Sequence, residues 1–424
     1  MIPAGLADWA WRKADELLVP PPQQAAPGHL AALLEAIAAF HAETPPGADL
    51  AEPSALPEAL APLALALLRH PGSAAIAPGR SDDEHLRRSA DALRHALAGD
   101  TVTYVVNRNL NVSNHCIKHC SFCAFRRDAG EPGAYWLSEA ELERRAAEAV
   151  EAGAVELCIQ GGLNPAATVE GSQLAYAERL LQRLQRAAPG LHLHAFSPQE
   201  LLFFAQHDGM PLDRVLERLQ AAGLASVPGT AAEVLSEPVR RVLCPEKLTA
   251  REWVAVMLQV HQHGLPSTST LMAGHIEGPA DRAAHLLTLV ALQRYAWQHQ
   301  RQGFTEFVLL PFVGASAPAA LRARVRRDQP DAVAMLRLTA QARILLGPWF
   351  RFHQPSWVKL TLAGATEALR WGCNDLGGTL MEEHITTMAG ASGGTSQSPE
   401  SLEAAAHQLG RPVRRRTTLY GAVA

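Results

Sequence analysis

From residue 102 onward, short β-type runs alternate with helix-length amphipathic segments, and no other feature constrains the fold as strongly. Eight runs qualify as strands: VTYVVN (102–107), VELCIQ (155–160), LHLHAF (191–196), ASVPG (225–229), PSTSTLM (266–272), TEFVLLPF (305–312), SWVKL (356–360) and DLGGTL (375–380). Strands separated by helices cannot form hairpins, so they pair in parallel, with each helix crossing back over the sheet. Residues 101–390 are therefore predicted to be α/β, a (β/α)8 TIM-type barrel, a fold of roughly 250 residues in its common form. The fourth run is the weakest, and an open barrel of about six units is the alternative. Two connecting segments carry clear helix signals, with Ser138 and Thr249 as N-caps and Gly153 and Gly264 as C-terminal stops.

The flanks differ from this pattern. Residues 1–100 are Ala-rich and broken by proline at positions 20–22 and 45–46. They read as a helical, partly Pro-rich N-terminal extension with flexible joints, in which Asp82 and Asp83 support the start of a helix leading to His95. Residues 391–424 are expected to hold one C-terminal helix, SPESLEAAAHQLG, and a basic tail, RPVRRRTTLYG, whose Arg run reads as a solvated face.

Composition removes several functions. Lys+Arg total 38 against 42 Asp+Glu, a net charge of −4, so no basic excess is available to neutralise phosphates and no nucleic-acid partner is expected. Apolar residues at 48% and charged residues at 19% argue against disorder. No apolar run approaches the ~18 to 20 residues of a membrane span. The first residues lack a basic start followed by an apolar stretch, so a cytoplasmic location with no membrane contact is expected.

Six cysteines are too sparse for a disulfide scaffold, but Cys116, Cys120 and Cys123 cluster in NRNLNVSNHCIKHCSFCAFRR, directly after the first predicted strand. Thiolates at Cys-x3-Cys-x2-Cys spacing suit an iron–sulfur cluster or zinc. A [4Fe-4S] cluster ordinarily takes four cysteines. Three leave one iron open, and the amino and carboxylate groups of S-adenosyl-L-methionine can fill that position. An electron from the cluster can then cleave the sulfonium bond to give a 5′-deoxyadenosyl radical, chemistry that belongs to the cofactor. Barrels place reactive groups at the carboxyl ends of their strands, where this loop begins. The alternative is structural zinc with His115 or His119 as fourth ligand. No second Cys/His pair lies at a suitable spacing, which favours the cluster. Cys158, Cys244 and Cys373 read as buried or loop thiols.

The cysteine spacing, with the aromatic Phe122 before Cys123, resembles the radical S-adenosylmethionine (radical SAM) superfamily. The resemblance runs over residues 100–421 through IQGGLNP, LHLHAFSPQE, PGTAAEVLSEPVRRVLCPEKL, GHIEGPADR, SWVKL, NDLGGTLMEE and RRRTTLYG, which are similar to its deazaflavin-chromophore (FO) branch. It implies a [4Fe-4S] cluster, S-adenosyl-L-methionine, and the substrates L-tyrosine and 5-amino-6-(D-ribitylamino)uracil. It further implies hydrogen abstraction from the tyrosine amino group, Cα–Cβ cleavage, transfer of the 4-hydroxybenzyl group to carbon 5 of the uracil, and a glycine imine as by-product. An electron donor and a separate partner radical SAM enzyme that closes the deazaflavin ring are implied as well. Within the superfamily, the enzymes that make aminofutalosine or cyclic dehypoxanthine futalosine are the alternative. Outside it, a zinc hydrolase or a cluster-bearing electron carrier would fit the cysteines. The chain departs from the branch pattern at VGASAPAA (313–320), at Ala273 and at ITTMAGA (385–391).

Other residues at strand ends are candidates. In IQGGLNP, Gly161 and Gly162 allow close backbone approach, and the resemblance gives Gln160, Gly161 and Gly162 a part in holding the methionyl end of the cofactor. His192 and His194 share one strand face, and His194 is a candidate cofactor or substrate contact. Glu233 is a candidate for a ribose hydroxyl or a substrate amine, or else supports a helix start. His275 is a candidate proton carrier, because an ordinary imidazole titrates near ~6.5; a structural loop histidine is the alternative. Glu382 and Glu383 are candidates for a polyol or amine.

Overall fold

The computed structural model describes residues 1–46, 55–71 and 82–423. Its strands are β1 (Val102–Val105), β2 (Asn107–Asn111), β3 (Glu156–Gln160), β4 (His192–Ala195), β5 (Ser267–Ala273), β6 (Phe304–Pro311), β7 (His353–Pro355), β8 (Asp375–Gly378) and β9 (Val413–Arg415). Every ladder between them is parallel, in the orders β8-β1-β9, β2-β3-β4 and β5-β6-β7. Single bridges link these sets. Residues 226–227 pair with His194 on one side and Ser267 on the other, joining β4 to β5. The Asn374 N–H donates to His353 O (3.1 Å), joining β8 to β7, and the Asn109 N–H donates to Leu380 O (2.9 Å) beyond β8. With β1 and β2 running on as one strand through Val106, the ring closes at eight positions as a TIM-type barrel.

Three expectations are revised. The first run divides into β1 and β2. The fourth is reduced to its two bridges, as its weak sequence suggested. The seventh is displaced: SWVKL is the start of a helix, Trp357–Arg370, and the strand is the preceding HQP of β7. A three-residue strand is too short to show alternation, and the apolar SWVKL run imitates one because Trp357 and Val358 are buried. The Trp357 indole N–H donates to Gly378 O (3.0 Å) and anchors this helix against β8.

Helices surround the ring. Glu139–Glu151 and Ala250–Gln262 start at Ser138 and Thr249, whose side chains accept from the backbone N–H three residues on. The four N-terminal helices lie outside this layer and share its hydrophobic core. Asp8–Leu17 buries Ala10, Ala14 and Leu17, and the Arg251 guanidinium stacks 3.8 Å over Trp11. Asp82–Ala98 is tied by a two-pronged ion pair from Arg337 to Asp83 (2.6 and 2.7 Å). The expected joints at residues 20–22 and 45–46 lie outside the helices; residues 47–54 and 72–81 lie outside the described residues.

The basic tail is solvated only in part: Arg414 is exposed, whereas Arg416 is not. Residues 413–415 form β9 against β1, and Arg416 is buried inside the N-terminal end of the barrel. Its guanidinium binds Asp375 (2.5 and 3.0 Å) and Glu306 (3.3 Å). The Tyr420 hydroxyl donates to Glu306 as well. Charge patterning alone cannot separate an arginine in water from one whose carboxylate partners lie 41 and 110 residues away.

Candidate active site

Strand alternation sets the lumen. Leu157 and Ile159 of β3 are buried against the helices, while Cys158 and Gln160 are partly exposed and face inward. The parallel register places Asn109 beside Cys158 and His194, and Asn111 beside Gln160. The lumen wall is therefore polar. The Oδ1 atoms of Asn109 and Asn111 are buried without a hydrogen bond, a costly arrangement unless a ligand or water supplies donors.

The cysteines lie on the loop that leaves β2 at the C-terminal rim. Asn114 staples this loop, with Nδ2 donating to Gly133 O (2.9 Å) and Oδ1 accepting from the Tyr135 N–H (2.7 Å). Cys116 N–H donates to Arg127 O (3.2 Å), and Cys123 N–H donates to Cys120 O (3.1 Å). All three thiols are free and partly exposed. Burial pushes the Cys120 thiol up to about 12, opposed by the ammonium of Lys247. Burial also raises Cys123. His119 faces Glu246 (3.2 Å) and Asp128 (3.6 Å) instead of the thiols. Among the described residues no three His, Cys, Asp or Glu side chains converge as a single-ion site. Three soft donors on one loop suit a cluster with an open iron; a fourth thiol, Cys244, is buried in the apolar patch on which Cys120 packs.

Gly162 lies directly against this loop. Its N–H donates to Ser113 O (2.7 Å), and a Cβ there would fall 2.1 Å from His115 O and 3.0 Å from the Cys116 Cβ. Only glycine permits this approach. The Gly161 N–H donates to Glu200 (3.2 Å). Glu200 also accepts from the Ser197 N–H and hydroxyl (2.7 and 2.6 Å), and burial raises its carboxyl to about 7.

Glu233 is not at a helix start; it sits at φ +46° in a loop, ahead of the helix Glu237–Leu243. It pairs with Lys247 at 2.6 Å. Burial opposes the carboxylate charge, yet Lys247 and Arg240 hold Glu233 below the usual range. The Lys247 ammonium lies 5.7 Å from the Phe122 ring centroid, so Glu233, Lys247 and Phe122 form one group beside the cysteines. His194 Nδ1 meets the Ser226 hydroxyl (2.7 Å), and burial lowers the ring to about 4 despite Glu156. His275 lies edge-on to Phe312 (5.8 Å), with its side chain fully enclosed. Its Nε2 faces Met272 O (3.0 Å), and its Nδ1 accepts from the Ile276 N–H (2.8 Å). Burial lowers its pKa, with Glu277 opposing. This is the geometry of a structural loop histidine. Glu382 points away from the lumen to Arg145 (2.6 Å) and Arg108 (2.9 Å).

Sequence reasoning did not single out Lys247, Lys359, Asn109 or Asn111. The chain has only four lysines, and two of them, Lys247 and Lys359, lie at the mouth of this barrel. Their rarity was the one available signal.

A parallel barrel with a three-cysteine loop at its C-terminal rim is the framework of a radical SAM enzyme, and the pattern of the Radical SAM superfamily matches residues 110–289. Among solved structures, methylornithine synthase aligns with a TM-score of 0.59 at 15% identity, covering 79% of this chain and 90% of that one. The FeFe-hydrogenase maturase HydG of Carboxydothermus hydrogenoformans aligns with a TM-score of 0.61 at 14% identity, covering 93% and 87%. At such identities these likenesses establish the fold. Curated relatives are much nearer. The 5-amino-6-(D-ribitylamino)uracil–L-tyrosine 4-hydroxyphenyl transferase of Cyanothece sp. is 57% identical over 79% of this chain and 88% of its own. That of Gloeobacter violaceus is 56% identical over 80% and 87%. The chain belongs to this transferase family within the radical SAM superfamily.

Proposed function

We propose that this enzyme joins the 4-hydroxybenzyl group of L-tyrosine to 5-amino-6-(D-ribitylamino)uracil, with 5′-deoxyadenosine and a glycine imine as by-products. The observation that carries this reading is the cysteine loop closing over a polar lumen, in a chain more than half identical to these transferases over most of its length. Cys116, Cys120 and Cys123 would hold three irons of a [4Fe-4S] cluster. When bound, the cluster and S-adenosylmethionine supply a hydrogen-abstracting radical. Gly161 and Gly162 keep backbone close to the loop and leave room for the methionyl end. Phe122 packs against the small apolar cluster that includes Met272 and Phe312. His194 is a neutral imidazole at pH 7, and its Nε2 makes no hydrogen bond among the described residues, so it can meet a substrate polar group. Asn109, Asn111 and Gln160 offer further partners to a polyol. An electron donor and a second radical SAM enzyme that closes the deazaflavin ring complete the proposed setting.

The test is anaerobic reconstitution with iron and sulfide, followed by dithionite, S-adenosylmethionine, L-tyrosine and 5-amino-6-(D-ribitylamino)uracil. Mass spectrometry should find a tyrosine-dependent adduct of the uracil together with 5′-deoxyadenosine, both absent from Cys116→Ala. Deoxyadenosine without adduct would overturn the substrates and turn attention to the aminofutalosine and dehypoxanthine futalosine reactions. Neither product from cluster-loaded protein would overturn the radical reading.

A further inference from the structure

Among the described residues, Lys359 is a cation with no hydrogen-bonded partner. It sits on the first turn of the helix Trp357–Arg370, directly after β7, at the C-terminal rim. The turn is held by hydrogen bonds from the Lys359 and Leu360 N–H groups to Ser356 O (3.2 and 2.9 Å). Two residues on, Thr361 breaks the helix at φ +64°, ψ +166°. Gly393 packs so closely on this turn that a Cβ would lie 2.2 Å from Trp357 O, and its N–H donates to Val358 O (3.0 Å). The turn is thus held from both sides, and its lysine is held with it.

The ammonium makes no hydrogen bond or ion pair with any described residue, although the side chain is only partly exposed. Two carboxylates lie within electrostatic reach, Glu383 and Glu233. Both are engaged elsewhere. Glu383 accepts from the Thr386 N–H (3.0 and 3.1 Å) and the Thr387 N–H (3.3 Å), and Glu233 holds Lys247. Burial dominates the environment of Lys359 and lowers it to about 8. A partly buried ammonium with no hydrogen bond to the carboxylates near it is poorly compensated. Its place at the barrel mouth, where the Oδ1 atoms of Asn109 and Asn111 are also open, suits an anionic ligand.

We infer that Lys359 receives the α-carboxylate of the amino-acid substrate and positions it in the barrel mouth. This rests on the reading of L-tyrosine as substrate. Among the proposed reactants, tyrosine and S-adenosylmethionine carry a carboxylate, whereas the ribitylated uracil has none. Gly161, Gly162 and the cysteine loop place the methionyl end at the rim of β2 and β3. Lys359 rises from β7, with β8 intervening, and so serves the second anion.

The test uses the cluster-loaded enzyme and two competitive inhibitors that share the phenol. 3-(4-Hydroxyphenyl)propionate keeps the carboxylate and lacks the amine, and tyramine keeps the amine and lacks the carboxylate. In Lys359→Met, the KM for L-tyrosine and the Ki of the propionate should each rise about 10- to 100-fold, the range for a lost hydrogen bond to a charged group. The Ki of tyramine and the KM for S-adenosylmethionine should stay within about threefold, and Lys359→Arg should recover much of the propionate affinity. Equal losses for propionate and tyramine, or unchanged tyrosine kinetics, would overturn the assignment while leaving the transferase reading intact. A rise confined to S-adenosylmethionine would overturn it in favour of the cofactor carboxylate. If the unmodified enzyme makes no tyrosine adduct, the substrate reading fails and this inference fails with it.

Discussion

The two ends of the barrel are built by opposite rules. At the N-terminal end, the buried cation has its partners. Arg416 lies between Asp375 and Glu306, and the Thr103 hydroxyl donates to Asp375 (2.5 Å). At the rim, groups are left open. Among the described residues the Lys359 ammonium and Asn111 Oδ1 have no hydrogen-bond partner, and Glu233, Leu380 and Met381 sit at positive φ without being glycine. Such backbone costs of order 1–3 kcal/mol per residue, and it persists where the surroundings enforce it. The closed end supplies cohesion that lets the rim hold strained and unpartnered groups. In a (β/α)8 barrel this division follows from geometry, because all strands direct their carboxyl ends to one face.

Substitutions can break this division, or sharpen it. The largest expected effect is at the closed end. Arg416→Met should cost about 3–5 kcal/mol of stability, because Asp375 and Glu306 are left buried without their cation. Urea unfolding would measure it, and the protein that remains folded should keep its cluster content. A normal unfolding midpoint would show that the tail is not part of the core.

At the rim the balance should reverse. Gly162→Ala should cost about 1–3 kcal/mol through overpacking but lower turnover by roughly 100-fold, because displacing the cysteine loop by about an ångström misplaces the reacting groups. Iron content and product formation, read together, would separate this from loss of the cluster. Asn111→Ala should change stability by less than about 1 kcal/mol, since removing a buried, unsatisfied amide offsets the lost packing, while raising the KM for the uracil.

Glu200 gives the pH test. Its folded carboxyl is raised to about 7 from an ordinary value of 4.5. The folded state therefore holds a proton that the unfolded chain has released, and stability falls as pH rises from about 4.5 to about 7. Glu200→Gln should flatten that decline, and urea titrations at pH 5 and pH 8 would show it. An unchanged difference between the two pH values would place the proton elsewhere.

Much of the molecule was legible before folding. Parallel strands, the helix caps at Ser138 and Thr249, and the cysteine loop after the first strand all express local rules, whose signals lie within a few residues of one another. SWVKL misled because burial of Trp357 and Val358 imitates a strand, and the true strand has three residues. Arg416 misled because its partners are distant in sequence. His275 had the right chemistry for a proton carrier, and only its contacts with Met272 and Ile276 reveal that both ring nitrogens are occupied.

The sequence by itself determined the α/β alternation, the three thiolates and the kind of cluster they suit, because spacing along the chain and donor type are local properties. The tertiary structure decided which polar residues face the lumen, that Arg416 of the tail fills the far end, and that Lys359 stands at the mouth with no hydrogen bond among the described residues. Those facts depend on which distant strands become neighbours, and only ring closure makes β7, β8 and β2 adjacent.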